Sequence, residues 1–393
     1  MHIVDLPQLA RAAGISALLA TLCLGCEAPD ASSPLEIESN AAALNEAATW
    51  GFAWANKASQ SSYTPDANFA RSSSGGTIKA NRLGTGSYRV DFAGLGGTGG
   101  FAIAVAVGLD NRRCTVDSYS NSGGTERVFV KCHNPSGSAA NSQFNVFYQR
   151  RDATISTAGV YGAYLRSDGN GTIVASDSWN SRGQANTVTR MNAGFYVARL
   201  KGLGSGENST VIASAYNTTG HCKVSKWGIS ENLVDQEVQI ACYDTSAKPA
   251  DRKFSLSYGS YLSPVGTPSV GYAWFNDPGS TMFQPDASRR AIVINGTSIG
   301  ARDADVGAGN YFTISGIRGH QYVLFNRNAH DPPGFLEWRG VNGIATATGF
   351  VDTYCKLETV TNIIARVDTF CFTGTGANAV STMNAAYATA QTQ

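Results

Sequence analysis

The stretch Cys222-Lys-Val-Ser-Lys-Trp227, answered by Glu237-Val-Gln-Ile-Ala-Cys242, decides the fold because it occurs three times. Its counterparts run from Cys114 to Cys132 and from Cys355 to Cys371. In each, apolar residues alternate with polar ones after the first cysteine (Val116, Val224, Leu357) and before the second (Val128 and Val130, Val238 and Ile240, Val367). A period of two is the pattern of strands with one buried face. Each copy therefore predicts a β-hairpin with its cysteines at the open end, within reach of a disulfide.

The repetition extends outward from the hairpins. Tyr88 and Tyr196 stand 108 residues apart, as do Cys114 and Cys222, in the strands Gly86-Ser-Tyr-Arg-Val-Asp-Phe-Ala-Gly-Leu95 and Gly194-Phe-Tyr-Val-Ala-Arg-Leu-Lys-Gly-Leu203. Gly309-Asn-Tyr-Phe-Thr-Ile-Ser-Gly-Ile317 is the third version, one residue shorter between its glycines, which calls for a bulge or a change of register. Aromatic strands open the copies around Trp54, Tyr164 and Trp274, at intervals of 110. Others close them at Tyr148, Tyr258 and Tyr387, each 16 residues beyond the second cysteine.

Copy one predicts seven strands, near Trp50 to Asn56, Thr77 to Leu83, Tyr88 to Phe92, Phe101 to Val107, Cys114 to Tyr119, Arg127 to Cys132 and Gln143 to Tyr148. The expected fold is all-β, three tandem seven-stranded β-sandwich-like modules, each with one internal disulfide: Cys114 with Cys132, Cys222 with Cys242 and Cys355 with Cys371. The cysteines of a pair lie too close in sequence to bridge two sheets. Module boundaries fall at 49–150, 158–260 and 268–393, the short linkers between them suggesting a semi-rigid rod.

Composition agrees. Charged residues make up only 15% of the chain and glycine is abundant, which favours short strands and turns over long helices. Thirty basic residues against 29 acidic ones, with no basic cluster, argue against nucleic acid as a partner.

Before the modules, Ile15 to Leu24 is an apolar run too short to span a bilayer and placed like the core of a signal peptide. It ends in Leu22-Cys23-Leu24-Gly25-Cys26, which resembles the lipobox of bacterial lipoproteins. The resemblance implies a signal peptide at 1–25, cleavage before Cys26 and acylation of that cysteine with chains such as palmitate. It also implies a proline-containing tether at 26–48 and, with Glu27 following, sorting to the outer membrane or cell surface. Of eight cysteines, Cys23 then leaves with the signal and Cys26 carries lipid, so the six hairpin cysteines pair without remainder, as suits an oxidising compartment. The modules themselves are similar to uncharacterised tandem repeats of bacterial surface proteins, a resemblance that implies no known activity.

Motifs for chemistry are sparse. Gly296-Thr-Ser-Ile-Gly300 matches the pattern of a hydrolase nucleophile elbow, with Ser298 as nucleophile and His320 or His330 as base. The next segment, Ala301-Arg-Asp-Ala-Asp-Val-Gly-Ala-Gly309, does not read as the helix that the elbow requires, and Asn295-Gly296 reads as a hairpin turn. Asp168-Gly-Asn-Gly171 and Asp303-Ala-Asp305 read as solvated turns rather than calcium ligands, and the repeated Pro-Asp at 65–66 and 285–286 as a structural turn after the first strand rather than a binding loop. His133 and His221 adjoin cysteines of different copies, with nothing to bring them together. No metal site or cofactor is expected.

Copy three alone carries extra sequence, about 318–341, rich in side chains favoured at interfaces: His320, Tyr322, His330, Phe335, Trp338 and Arg339. The resulting expectation is a non-catalytic, exported and lipid-anchored protein that presents this loop to an unknown surface protein in adhesion or protein binding. A carbohydrate-binding protein using exposed aromatics such as Trp338 and Trp227 is the alternative, and a hydrolase using Ser298 the second.

Overall fold

A computed structural model describes residues 48–205, 209–264 and 266, and, further along, 269–275, 290–294, 297–298, 304–307, 311–314, 341–347, 353–361, 366–373, 375–377 and 383–389. All of them belong to one compact unit, Glu38–Gln393. Among them the chain is all-β: 26 strands and a single 3₁₀ turn, Ala175–Asp177.

The strands form antiparallel sheets stacked in β-sandwich fashion. One sheet runs Ser62–Tyr63, Ile78–Gly84, Ser87–Ala93, Thr125–His133 and Arg113–Ser122 in spatial order. Facing it are Ala70–Ser72, Ala48–Ala55, Gln143–Arg151 and Phe101–Val107. Strands stand at the seven stretches expected between 50 and 148, but the segment from Ala48 to Arg151 holds nine strands rather than seven. Ser62–Tyr63 and Ala70–Ser72 are additional, and at two and three residues they are too short to leave a periodic signature.

A second pair of sheets comprises Trp179–Asn180, Tyr161–Ser167, Phe254–Ser260 and Ser209–Ala215, and then Thr187–Asn192, Phe195–Leu200, Gln236–Tyr243 and His221–Ile229. Beyond it, Thr297–Ser298, Arg290–Ile294, Ser269–Phe275, Met383–Thr389 and Val341–Ala347 form a fifth sheet. Ala304–Gly307, Tyr311–Ile314, Arg366–Thr373 and Thr353–Thr361 extend the sheet of Phe101–Val107 through one parallel bridge, Leu357 to Val107.

Burial explains the pairing of faces. Ser87–Ala93 alternates half-buried with buried residues, and its inward Tyr88, Val90 and Phe92 pack with Val116, Val128, Phe144 and Tyr148 between the first two sheets. Tyr196, Val224, Val238, Ile240, Phe254 and Tyr258 do the same in the second pair. Each such side chain contributes on the order of 1.5–3 kcal/mol by leaving water.

Phe101–Val107 is buried at every position, so both of its faces are covered. Its outward residues Phe101, Ile103 and Val105 join Trp50, Phe52 and Phe147, then Tyr164 and Ile212, then Tyr272, in one further cluster. An end-to-end rod would leave this face in water. The linkers instead fold the segments onto a shared core, and the rod expectation is corrected accordingly.

The cysteine hairpins share one register. Cys114 faces Cys132, Cys222 faces Cys242 and Cys355 faces Cys371, and in all three the pairing slips by one residue just after the second position beyond the first cysteine. Disulfides close the first two, with Cα separations of 4.0 Å. The bonds lie within a sheet, as the short spacing required.

Candidate functional site

The tyrosine of the Gly-x-Tyr strand is the joint on which the surrounding loops are set. Tyr88 packs at a tilt on Phe144, ring centroids 5.1 Å apart, donates to the Ala58 carbonyl and accepts from the Ser142 amide. Tyr196 repeats this at 5.1 Å from Phe254, donating to the Gly169 carbonyl and accepting from the Arg252 amide. The glycine two residues earlier is needed for close approach. Gly86 and Gly194 have φ of 65° and 76°, and their carbonyls accept from the Cys132 and Cys242 amides at 2.7 Å.

Residues flanking the cysteines meet. Arg113, one before Cys114, donates to the Pro135 carbonyl, lies 2.9 Å from Nδ1 of His221 and sits over the Tyr354 ring at 4.7 Å. His133 contacts the Arg113 and Thr219 carbonyls through its two ring nitrogens, and burial with the neighbouring Arg113 charge holds its pKa down to about 4. His221 stacks on Tyr243 at 5.2 Å and Tyr354 on Phe372 at 5.6 Å. His133 and His221 are thus joined through Arg113, which their sequence positions did not suggest. The loops beyond the second cysteines share a hydrogen-bonding plan at Asn134–Ser138, Asp244–Lys248 and Thr373–Ala377, where the first residue's side chain accepts from the amide four residues on.

A second buried polar group forms where Gly96–Gly100 meets Ser176 and Asp177. Arg166 pairs with Asp177 and covers Tyr216 at 4.6 Å. Glu126, 1% exposed, lies in the same region with Oε2 lacking a hydrogen-bond partner. Burial pushes its carboxyl up to about 7, against the opposing pull of Tyr148, Arg150 and the Gly97 amide.

The described residues include two open clefts of note. One, of about 480 Å³, is lined by Asp152, Trp179, Gln184 and Asn186 with their neighbours. Its Asn180 and Asn186 amides are already bonded internally, and the Trp179 indole donates to the Ala153 carbonyl. The other, of about 360 Å³, has Pro65, Ala67, Ala70 and Ile78 in its wall together with the exposed Arg71.

Opposed to these concavities is a convex apolar tip. The first cysteine hairpin turns through Gly123 and Gly124, both with positive φ. The second turns through Ser230–Asp235 and exposes Leu233 (78%), Val234 (58%) and Ile229 (42%). Asn232 Oδ1 accepts from the Val234 and Asp235 amides at 3.0 Å, while Asp235 Oδ1 accepts from the Gly202 amide at 2.9 Å.

No family model, curated protein or solved structure matches the chain. The sites rest on their own geometry.

Of the residues singled out in the sequence, Cys26 and the loop with His320, Tyr322, His330, Phe335, Trp338 and Arg339 lie outside the described residues. Ser298 ends the two-residue strand Thr297–Ser298 and pairs antiparallel with Val293. Trp227 is 6% exposed and packs edge-on against Trp274 at 5.1 Å. The expectation that it offers an exposed face to sugar is corrected, because the alternation that places Val224 inside carries Trp227 inward once the register slip is counted. The Asp66 and Asp168 turns are as expected, each side chain accepting from the amide two residues on at 2.8 Å. Neither the arginine-centred cluster nor the hairpin tip was foreseen; the sequence signal for the tip was the two extra residues between Cys222 and Cys242, 20 apart against 18.

Proposed function

We propose that the chain is an exported, lipid-anchored and non-catalytic protein whose three β-repeats, at 49–150, 158–260 and 268–393, present a surface for adhesion or protein binding at the outer membrane or cell surface. The observation that carries the reading is the pair of cross-strand disulfides, together with a third cysteine pair in the same register. Disulfides of this kind persist outside the reducing cytosol. Support for three copies of one sandwich comes from the shared slip in the three hairpins, the matching loops after them and the two equivalent tyrosines. Repeats built on rigid strands and joined through loops suit contact rather than turnover.

Intact mass of the chain extracted from host membranes, before and after reduction with alkylation, tests the anchor and the pairing together. The expected mass begins at acylated Cys26, with six cysteines labelled only after reduction. An unacylated chain, or free thiols among the six, removes the reading. Loss of cell attachment in a host lacking the chain, restored by the intact gene and not by a variant deleted for 318–341, tests the loop as the contact surface.

A further inference from the structure

The strand Thr125–His133 carries Glu126 into the joint between the first pair of sheets and the second. The residue is 1% exposed, and Oε2 of its carboxyl accepts no hydrogen bond. Its partners across the sheet, Phe92 and Asn121, carry no charge. The guanidinium groups of the joint are committed to other carboxylates, Arg150 to Asp152 at 3.4 Å and Arg166 to Asp177 at 2.6 Å. Ionising Glu126 in place therefore buries a negative charge that no ion pair among the described residues compensates.

Its surroundings hold two segments together. The loop Gly96–Gly100 belongs to the first segment, where Tyr148 donates to the Gly99 carbonyl at 2.8 Å and Tyr119 to the Gly100 carbonyl at 2.9 Å. Ser176 and Asp177 of the second press on the same loop, so closely that any side chain at Gly99 would run into the Ser176 carbonyl. Arg166 reaches back from the second segment over the Tyr119 ring at 5.9 Å. After burial, the groups that act on the Glu126 carboxyl are all members of this contact: Tyr148 and the Gly97 amide by hydrogen bonding, Arg150 by attraction and Asp177 by repulsion. Burial pushes the Tyr119, Tyr148 and Tyr216 phenols up, so they stay neutral where Glu126 titrates.

Tyr148 has a single proton to donate. While Glu126 is protonated, that proton holds the Gly99 carbonyl. An ionised carboxylate is the stronger acceptor and competes for it, and it also sets a second negative charge against Asp177. We propose that Glu126 is a proton-operated latch: protonated, it leaves the Gly96–Gly100 loop fastened on Ser176 and Asp177, and ionised, it draws the Tyr148 hydroxyl away from Gly99 and loosens the joint between the two segments. Burial in the closed joint pushes the carboxyl from 4.5 up to about 7, and opening returns it to water. The closed form is therefore fully favoured below pH 4.5 and loses its advantage as the pH rises through 7. The latch depends on neither the lipid anchor nor the identity of a partner.

Amide hydrogen exchange of the full chain at about pH 5 and about pH 8, with each rate divided by its intrinsic value, tests the latch. The amides to follow are those of Gly96 and Asp177, which donate to the Gly124 and Val174 carbonyls. Their protection should fall at least about tenfold from the lower pH to the higher, while exchange stays faster there than at Val90 and Val238, which marks local opening and not unfolding. Glu126→Gln should keep the protection level across the same range. His133 titrates in this interval too, but the Gln variant carries it unchanged and so controls for it. Tyr148→Phe removes the hydroxyl that holds Gly99 and should lose the joint's protection already at about pH 5, with Val90 and Val238 still protected. Equal protection at both pH values in the unaltered chain overturns the inference. So does a fall that survives in Glu126→Gln, or a Tyr148→Phe chain as well protected as its parent at about pH 5.

Discussion

Replacing Glu126 by glutamine removes a carboxyl that folding has forced into the interior. Burial raises its pKa from 4.5 to about 7, and a tenfold change in proton affinity corresponds to about 1.36 kcal/mol. Because the folded value lies above the unfolded one, the stability linked to this group is fully present below pH 4.5 and is lost as the pH rises through 7. The loss reaches about 3 kcal/mol by pH 8. Glu126→Gln has no charge to bury and keeps the shape of the protonated acid. It should match the unaltered chain at pH 4.5 and exceed it by up to about 3 kcal/mol at pH 8 in urea denaturation. His133 works in the opposite sense. Its folded pKa of about 4 lies below the usual 6.5, so its contribution is present above pH 6.5 and is lost as the pH falls toward 4. Between pH 4.5 and 6.5 the two slopes oppose each other, and the unaltered chain should show little pH dependence from this pair, whereas the variant should expose the histidine slope alone. Carbon-13 observation of the Glu126 carboxyl gives the titration directly. A midpoint near 4.5, or a variant less stable than the parent at pH 8, would refute the reasoning.

Other perturbations have equally definite outcomes. Changing Cys222 and Cys242 together to serine should lower stability by about 3 kcal/mol, the chain-entropy value for a loop of this size, measured by urea denaturation against the oxidised parent. Tyr196→Phe leaves the Gly169 carbonyl and the Arg252 amide without their shared partner and should cost about 1–3 kcal/mol, read from the same transition. Leu233→Gly relieves the backbone at φ 58° and should leave stability unchanged or raised by up to about 1 kcal/mol, since the gain offsets the added freedom of the unfolded chain. A marked loss there would mean that the tip is a packing element and not a displayed one.

Much of the fold was readable because its signals are local. Alternation about Val128 and Val130 and about Val238 and Ile240 gave the hairpins, and the interval from Tyr88 to Tyr196 gave the matching strands. The shared core was present in the sequence as well, in Phe101-Ala-Ile-Ala-Val-Ala-Val107, an unbroken apolar run that marks a strand buried on both faces. The rod followed from the short linkers, and this strand was the local sign against it. The meeting of His133 with His221 through Arg113 was not legible, because it depends on how separate sheets are set against one another. The tip was visible only as two extra residues, and no pattern rule distinguishes a longer turn from a displayed one.

Placement of the disulfides connects these observations. A hairpin slipped by one residue would send Val116 and Val130, or Val224 and Ile240, outward and their polar neighbours into the core. Bonding Cys114 to Cys132 and Cys222 to Cys242 as direct cross-strand partners excludes that slip at the open end, where no turn holds the strands. The residues adjoining the cysteines are those that carry the contacts between segments: Arg113 with His221 and Tyr354, and His133 with Thr219. A register error at one hairpin therefore displaces a side chain on which the neighbouring segments depend. The bond secures one hairpin's pairing and, through the flanking residues, the seating of the segments on one another. Reduction should accordingly loosen the Arg113 cluster before it melts either sandwich core, which hydrogen exchange at Arg113, His133 and His221 would reveal as opening at lower denaturant than at Val90 or Val238.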